Sequence, residues 1–279
     1  MLKDITLGQF FPGKSLLHRA DPRMKILLTV AYIVFLFLAK NTVAYIVAVL
    51  FTVLLIIISR IKISVVIKGL KPLIFIMVFT AFFNIFWTKG ANEPLFEYGF
   101  ISIYKEGLWF AVVMIIRVAC ILTGTSVLLT YTTSPIALTD GLERLLSPLK
   151  VIRLPVHEFA MMMTIALRFI PTLIEETDKI MNAQKARGAD FNSGGLIKRA
   201  KALLPVLIPL FASSFRRASE LATAMECRCY RGDKGRTRMT KLHFGYADFV
   251  MALVMSFFGA GVILCNIYLN TILTFGINM

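Results

Sequence analysis

Residues 26–59 read ILLTVAYIVFLFLAKNTVAYIVAVLFTVLLIIIS, and this stretch decides the class of fold. Lys40 is its only charged side chain, and with Asn41 it separates an apolar run over 26–39 from a second over 42–59. A helix needs roughly 20 apolar residues to cross a bilayer; the second run approaches that length, whereas the first is short and would need flanking residues to complete the span. The stretch therefore predicts two membrane-spanning helices that are joined by a tight turn.

Three further apolar runs follow along the chain, over 72–88, 108–131 and 249–275. They leave the 279-residue chain 57% hydrophobic and only 17% charged. Soluble domains carry about 25% charged residues, so the excess of apolar residues is characteristic of a membrane protein. We predict an all-α, polytopic membrane protein with about five transmembrane helices.

The distribution of Lys and Arg predicts how these helices are oriented, because cytoplasmic loops are enriched in both residues. Basic residues outnumber acidic ones in 1–25 and in 60–71, whereas acidic residues outnumber basic ones in 89–106. We therefore expect a cytoplasmic N-terminus and an external C-terminus in the cell membrane. The predicted organisation is N-terminal transmembrane helices over 1–131, a cytoplasmic or interfacial region over 132–245 and a C-terminal transmembrane helix over 246–279.

The region over 132–245 is too long to be an ordinary loop, since structureless segments of that length are uncommon in compact proteins. It carries much of the net charge of +15, which in a membrane protein indicates cytoplasmic loops rather than nucleic-acid binding. Periodic apolar residues predict three long helices there, over 134–149, from 155 to about 186, and from after 195 to about 229. The second and third each have an apolar first half and a polar second half, and we expect neither to span the membrane.

Both of these helices are predicted to end in an arginine between small residues. The first end reads Ala186-Arg187-Gly188, and the second reads Cys227-Arg228-Cys229. Arginine is always charged, and its five donors suit the carboxylates and carbonyls of a partner. A single arginine at such a position would be expected to cap its own helix, where the helix dipole favours a cation. Two matching ends favour another interpretation, in which the chain docks onto two similar sites.

The sequences AQKARGADF at 183–191 and AMECRCYRG at 224–232 resemble the paired Ala-Arg-Gly-type motifs of the transmembrane T component of energy-coupling factor (ECF) transporters. The first matches that motif letter for letter, whereas the second has a cysteine on each side of Arg228. The central arginine is retained, and its Ala-Met-Glu-x-Arg context favours Arg228 over Arg231 as the second contact. The resemblance covers essentially the whole chain.

The resemblance implies that this chain is a non-catalytic subunit of an ATP-driven importer. Its three cytoplasmic helices would be coupling helices, and the two arginine motifs would dock onto two cytoplasmic ABC-type ATPases. The difference between the two motifs favours non-identical ATPases. ATP and Mg²⁺ would be bound by those partners, so we expect no cofactor in this chain.

The same resemblance implies a second partner, a membrane-embedded S component that binds a vitamin, cobalt or nickel. The apolar halves of the second and third cytoplasmic helices are the predicted surface for it. The candidate residues on that surface are Met161, Met162, Ile165, Phe169, Leu203, Leu207 and Phe211.

Two other classes of function fit the sequence less well. A membrane enzyme needs polar groups that converge on one site, but the three histidines, His18, His157 and His243, form no such cluster in the sequence. Cys227 and Cys229 are closer together than zinc ligands usually are, so we expect no metal site. The alternative that we retain is a conventional permease or self-sufficient carrier, which would form the substrate path itself.

Arg117 lies inside the fourth apolar run, where a charged residue is by default a candidate functional site. The simpler interpretation is that it pairs with a carbonyl or another polar group inside the helix bundle. Gly124, Thr125 and Ser126 follow in the same run, and small residues there suit a close approach of two helices.

Overall fold

The computed structural model describes residues 10–87, 96–98, 101–152, 155–191, 195–232 and 242–276. These residues confirm the all-α prediction and add one short antiparallel hairpin of β1 (Phe96–Tyr98) and β2 (Ile101–Ile103). The helices are α1 (Leu16–Arg19), α2 (Pro22–Leu38), α3 (Thr42–Ser59), α4 (Ile63–Leu70), α5 (Ile74–Trp87), α6 (Lys105–Thr125), α7 (Pro135–Leu145), α8 (Val156–Ala186), α9 (Leu196–Cys227) and α10 (Tyr246–Gly276).

The chain divides into two compact units. One comprises 8–142 together with 242–279, and we call its described residues the bundle unit. The other includes 143–241, and we call its described residues the helix-pair unit because α8 and α9 pack against each other there. The membrane boundaries that we predicted at 131 and 246 remain predictions.

The first two helices of the bundle unit begin where their sequence signals start. Asp21 precedes α2 and accepts a hydrogen bond from the backbone N–H of Arg23 at 2.9 Å, while Pro22 occupies the first turn. Both are favoured at helix starts, so α2 begins four residues before the apolar run. α3 occupies Thr42–Ser59, the range that the sequence predicts.

The third predicted span begins earlier than expected. A helical segment extends over Ile63–Trp87 as α4, a 3₁₀ turn at Lys71–Leu73 and α5, so the predicted 60–71 loop is largely helical. Its apolar residues Ile63, Val66 and Ile67 recur at helical spacing, but the flanking lysines, Lys62, Lys68 and Lys71, led us to expect a loop.

Tyr32 lies at the centre of the bundle unit, fully buried. Its hydroxyl donates to the carbonyl of Cys120 at 2.9 Å and lies 2.7 Å from the hydroxyl of Thr52, so α2, α3 and α6 meet at this side chain. Its ring packs against Gly124 so closely that a Cβ there would lie 2.2 Å from the ring. The small residue at 124 therefore permits the close approach that the sequence indicated.

Five helical segments are long and apolar enough to cross a membrane among the described residues. They are Thr42–Ser59, Ile63–Trp87, Lys105–Thr130, Val156–Ala186 and Tyr246–Tyr268. This set includes α8, although its charged second half led us to expect that it could not span, because its first half is apolar enough on its own. α2, which we predicted as a span, has 17 residues and is not among these five segments.

The first of the three predicted cytoplasmic helices is shorter than expected. α7 ends at Leu145, and a 3₁₀ helix over Ser147–Ile152 follows it. Pro148 explains this end, since proline has no N–H to donate and disfavours a helical residue before it. α8 and α9 are long and continuous, with Pro171 inside α8.

Candidate docking ends and apolar surface

The C-terminal end of α8 is closed by a pair of backbone hydrogen bonds typical of a Schellman motif. The N–H of Gly188 donates to the carbonyl of Lys185 at 2.9 Å, and the N–H of Ala189 donates to the carbonyl of Gln184 at 3.0 Å. Gly188 has a φ of +86°, the left-handed conformation that the motif requires and that glycine adopts without a steric penalty. Arg187 is the cap residue of this helix.

The C-terminal end of α9 repeats this geometry. The N–H of Cys229 donates to the carbonyl of Glu226 at 2.8 Å, and the N–H of Tyr230 donates to the carbonyl of Met225 at 3.1 Å. Arg228 is the cap residue, and Cys229 takes the left-handed position with a φ of +54°. Arg228 therefore has the same structural position as Arg187.

Both ends are open to a partner. The exposed residues include every predicted docking residue, namely Ala186, Arg187, Gly188, Cys227, Arg228, Cys229 and Arg231. Among the described residues, neither cap guanidinium has a carboxylate partner. Arg231 lies three residues beyond the α9 cap, so only Arg228 is equivalent in position to Arg187.

A polar contact that we did not predict joins α8 to α9. The carboxylate of Glu176 accepts a hydrogen bond from the Ser213 hydroxyl at 2.5 Å and one from the Arg217 guanidinium at 2.7 Å. Ser213 and Arg217 lie one turn apart on α9, so a single carboxylate bridges two successive positions. This contact joins the two long helices at one defined register.

His157 also has a structural partner inside the helix-pair unit. Its Nδ1 lies 2.9 Å from a carboxylate oxygen of Glu143, which is almost completely buried. The pair joins the end of α7 to the beginning of α8. His157 therefore has a structural contact with Glu143, a residue that is distant from it in the sequence, whereas Glu158 is its sequence neighbour.

The predicted S-component surface is apolar and largely open within the helix-pair unit. Met162, Leu203, Leu207 and Phe211 are exposed, whereas the remaining predicted residues, Met161, Ile165 and Phe169, are half-buried. A neighbouring row on α9, which we did not predict in full, exposes even more apolar surface. Its members are Leu204, Ile208, Phe211 and Phe215, each more than half exposed.

These apolar residues form a continuous face because they recur at intervals of three and four residues, which places them on one side of α9. By contrast Val206, on another side of α9, is only 2% exposed. Soluble surfaces rarely expose so many large apolar side chains together. The face is therefore suited to lipid or to an apolar partner.

Arg117 in the bundle unit has the simpler role that we favoured. Its guanidinium donates to the carbonyl of Ala39 at 3.3 Å and to the hydroxyl of Tyr45. It also lies over the rings of Phe37 and Tyr45, with its central carbon 5.8 and 5.4 Å from their centroids. The charge thus meets carbonyl, hydroxyl and aromatic groups in the bundle.

Comparisons with known proteins agree with the resemblance seen in the sequence. The family described as cobalt transport protein, CbiQ, matches residues 13–239. Proteins named energy-coupling factor transporter transmembrane protein EcfT are similar over nearly the whole chain. The relative from Clostridium kluyveri is 56% identical over 253 residues, which cover 91% of this chain and 93% of the relative.

Two further relatives carry the same name. The protein from Ruminiclostridium cellulolyticum is 55% identical over 264 residues, 95% of this chain and 98% of the relative. The protein from Bacillus subtilis is 48% identical over 242 residues, 87% of this chain and 91% of the relative. This chain therefore belongs to the EcfT family, the transmembrane proteins of energy-coupling factor transporters.

Proposed function

We propose that this chain couples ATP-driven movement of two cytoplasmic ABC-type ATPases to a membrane-embedded S component that takes up a vitamin or a metal ion. The observation that carries the proposal is the pair of matched helix ends. Two helices of 31 and 32 residues both end in a Schellman motif with an exposed arginine at the cap. One arginine end of this kind is a capping device, whereas two with the same geometry suit two similar docking sites.

The chemistry of these ends suits a protein partner. A guanidinium at a helix C-terminus lies close to outward-facing carbonyls, so the end presents donors and acceptors together. The small residues beside each arginine allow close approach. The two ends differ on both sides of the arginine, with alanine and glycine around Arg187 and cysteines around Arg228, and this difference favours two non-identical ATPases over a single kind.

Long helices provide a direct route for the coupling. At about 1.5 Å per residue, α8 and α9 each extend roughly 45 Å. The Glu176 contact with Ser213 and Arg217 joins the two helices. A displacement at one arginine end would therefore move both α8 and α9. The apolar first halves of the same helices would pass the displacement to the S component.

In this proposal ATP and Mg²⁺ belong to the ATPases, and this chain supplies contacts instead of chemistry. The exposed face that includes Leu203, Leu207 and Phe211 would be covered by the S component. An apolar, adaptable surface with methionines such as Met162 suits a partner that must be captured and released.

Co-purification tests the arginine ends. We expect the wild-type chain to bring down two ABC-type ATPases and a small membrane protein and to hydrolyse ATP, and Arg187→Glu with Arg228→Glu to lose the ATPases. The matched control is Lys185→Glu with Arg216→Glu, which changes the net charge equally at exposed positions of the same helices. If the wild-type chain purifies alone and still moves a solute in liposomes, it is a self-sufficient carrier.

A second pair of substitutions tests the apolar face. Met162→Glu with Leu207→Glu should abolish capture of the S component and retain both ATPases, because a charge on that face would be desolvated without a partner. Ile197→Glu is the control, since Ile197 is exposed on α9 outside the predicted surface. Unchanged capture by the double variant contradicts the assigned surface.

A further inference from the structure

The bundle unit contains an open cleft between α3 and α6 whose two ends differ in chemistry. It consists of two adjoining cavities of about 330 and 220 Å³. Both cavities are lined by Thr42, Tyr45, Trp109 and Val113, so they form one continuous groove. The mechanism proposed above does not use this groove.

The larger cavity has a positively charged lining. Lys40 and Arg117 both line it, and its described lining residues include no carboxylate. Within the part of the chain that the structure describes, the Arg117 guanidinium contacts a carbonyl, a hydroxyl and two rings, and its buried Nε has no hydrogen-bond partner there. Two cations therefore face the cavity without an acidic group to balance them there.

The start of α3 adds to this positive field. The helix begins at Thr42 beside the cavity, and the side chain of Asn41 does not cap its first N–H groups. The Asn41 amide instead donates to the carbonyl of Cys265 at 3.4 Å. The uncapped N–H groups of an 18-residue helix favour an anion at this position.

The smaller cavity differs from the larger one in its lining, which is apolar and forms a groove. Ile46, Val49 and Leu50 line it on α3, and Val112 and Ile116 line it on α6. Ile46 and Leu50 are more than half exposed, so the groove is open along its length. The apolar groove would contribute nothing to the binding of a free anion. The two cations would contribute nothing to the binding of an apolar protein segment.

We propose that this cleft binds one anionic phospholipid. Its phosphate headgroup lies between Lys40 and Arg117 at the start of α3, and one acyl chain follows the groove between α3 and α6. Basic pockets between transmembrane helices select anionic headgroups in this way. Trp109 borders both cavities and places an indole ring where headgroup and acyl chain meet, a position that tryptophan favours.

Quenching of Trp109 fluorescence tests the proposal directly, because the chain has only two tryptophans, Trp87 and Trp109. The full-length Trp87→Phe variant is reconstituted with phosphatidylglycerol or phosphatidylcholine, each brominated on its acyl chain and compared at equal mole fraction. We expect a preference for phosphatidylglycerol of at least about fivefold, the equivalent of about 1 kcal/mol for one cation. Lys40→Gln in the same background should reduce that preference about fivefold.

The reciprocal variant Trp109→Phe provides the control, since Trp87 is 80% exposed at the end of α5 and reports on bulk lipid. Its preference for phosphatidylglycerol should be distinctly smaller than that of Trp109. Equal quenching of Trp109 by both lipids would overturn the proposal, as would the same preference at both tryptophans or no effect of Lys40→Gln. Loss of the preference on addition of inorganic phosphate would also overturn it and would indicate a site for a free anion.

Discussion

The bundle unit and the helix-pair unit use arginine in opposite ways. Arg117 of the bundle directs its guanidinium inward, onto the carbonyl of Ala39 and the ring and hydroxyl of Tyr45. Arg187 and Arg228 of the helix pair end their helices with exposed side chains that have no carboxylate partner among the described residues. Arg117 is held by partners within its own unit, whereas the other two have the exposure expected of charges that dock onto a protein partner.

The same contrast holds for apolar side chains. The bundle unit has a buried core around Tyr32, Leu36 and Leu128, all inaccessible to solvent. Both units expose large apolar side chains, such as Leu50 and Trp87 in the bundle unit and Ile208 and Phe215 in the helix-pair unit, but the core cluster lies entirely in the bundle unit. A unit with a large core gains much of its stability from its own packing, whereas a unit with a small core depends more on what covers its apolar surface. Substitutions in the two units should therefore fail in different ways.

The largest effect is expected at the tightest contact of the bundle. Gly124→Ala places a Cβ 2.2 Å from the Tyr32 ring, which cannot move away because its hydroxyl contacts Thr52 and the Cys120 carbonyl. We expect the chain to lose about 3 kcal/mol of stability, at the upper end of the cost of overpacking. Thermal denaturation in detergent, followed by the amount of monodisperse chain that remains, measures the loss.

The matched control for this prediction lies in the helix-pair unit. Gly195 precedes α9 with a φ of −70°, and a Cβ there meets no atom within 4 Å. Gly195→Ala should leave the denaturation temperature nearly unchanged. Equal losses for the two variants would contradict the close α2–α6 contact.

A smaller effect is expected from removing one arginine in each unit. Arg117→Ala leaves the Ala39 carbonyl and the Tyr45 hydroxyl without their charged donor, and this should cost about 2 kcal/mol of stability. Arg187→Ala should change stability by less than about 0.5 kcal/mol, since surface substitutions rarely do more. The pattern should reverse for ATPase binding, which Arg187→Ala weakens at least about tenfold.

Measuring both properties on both variants makes the comparison decisive. Thermal denaturation reports on stability, and titration of the purified ATPases reports on binding. If Arg187→Ala destabilises the chain as much as Arg117→Ala does, Arg187 is a structural cap and the docking role is wrong.

Local sequence patterns predicted much of this molecule. The bounds of α3 and the end of α8 at Ala186 follow from apolar periodicity and from the change to Arg187 and Gly188. α4 was missed because Lys68 and Lys71 suggested a loop, although the apolar residues around them are helical in spacing. Signals that span only a few residues could thus be interpreted from the sequence, although the lysines misled us at α4.

Contacts between distant positions could not be predicted in this way. Glu176 meets residues 37 and 41 positions further along the chain, and nothing in either local sequence specifies that pairing. The two arginine ends were predicted, but the left-handed conformation of Cys229 was not, because cysteine rarely adopts it. Aligning the two helix ends on their arginines would have shown Cys229 at the position of Gly188.

The Glu176 contact should have a modest energy, because its partners are only partly buried. A double-mutant cycle with Glu176→Gln and Arg217→Gln should give an interaction energy of about 1 kcal/mol. Hydrogen exchange along α8 and α9 would show whether the loss is confined to the helix-pair unit. An interaction energy near zero, or slower exchange in the variants, would mean that the register of the pair is set elsewhere.

The smallest effect concerns the residue in the left-handed position of each helix end. Cys229 adopts a φ of +54°, which costs an L-residue with a Cβ about 1 kcal/mol, whereas Gly188 adopts its φ of +86° freely. Cys229→Gly should therefore stabilise the end of α9 by about 0.5 kcal/mol, the remainder being offset by the greater freedom of glycine in the unfolded chain. Gly188→Ala should destabilise the end of α8 by about 1 kcal/mol. Slower amide exchange at the α9 end and faster exchange at the α8 end are the expected results. Arg228 keeps its cap position in Cys229→Gly, so a loss of ATPase binding would show that the cysteine side chain itself contacts the partner, and unchanged binding would show that the residue at 229 does not select the ATPase.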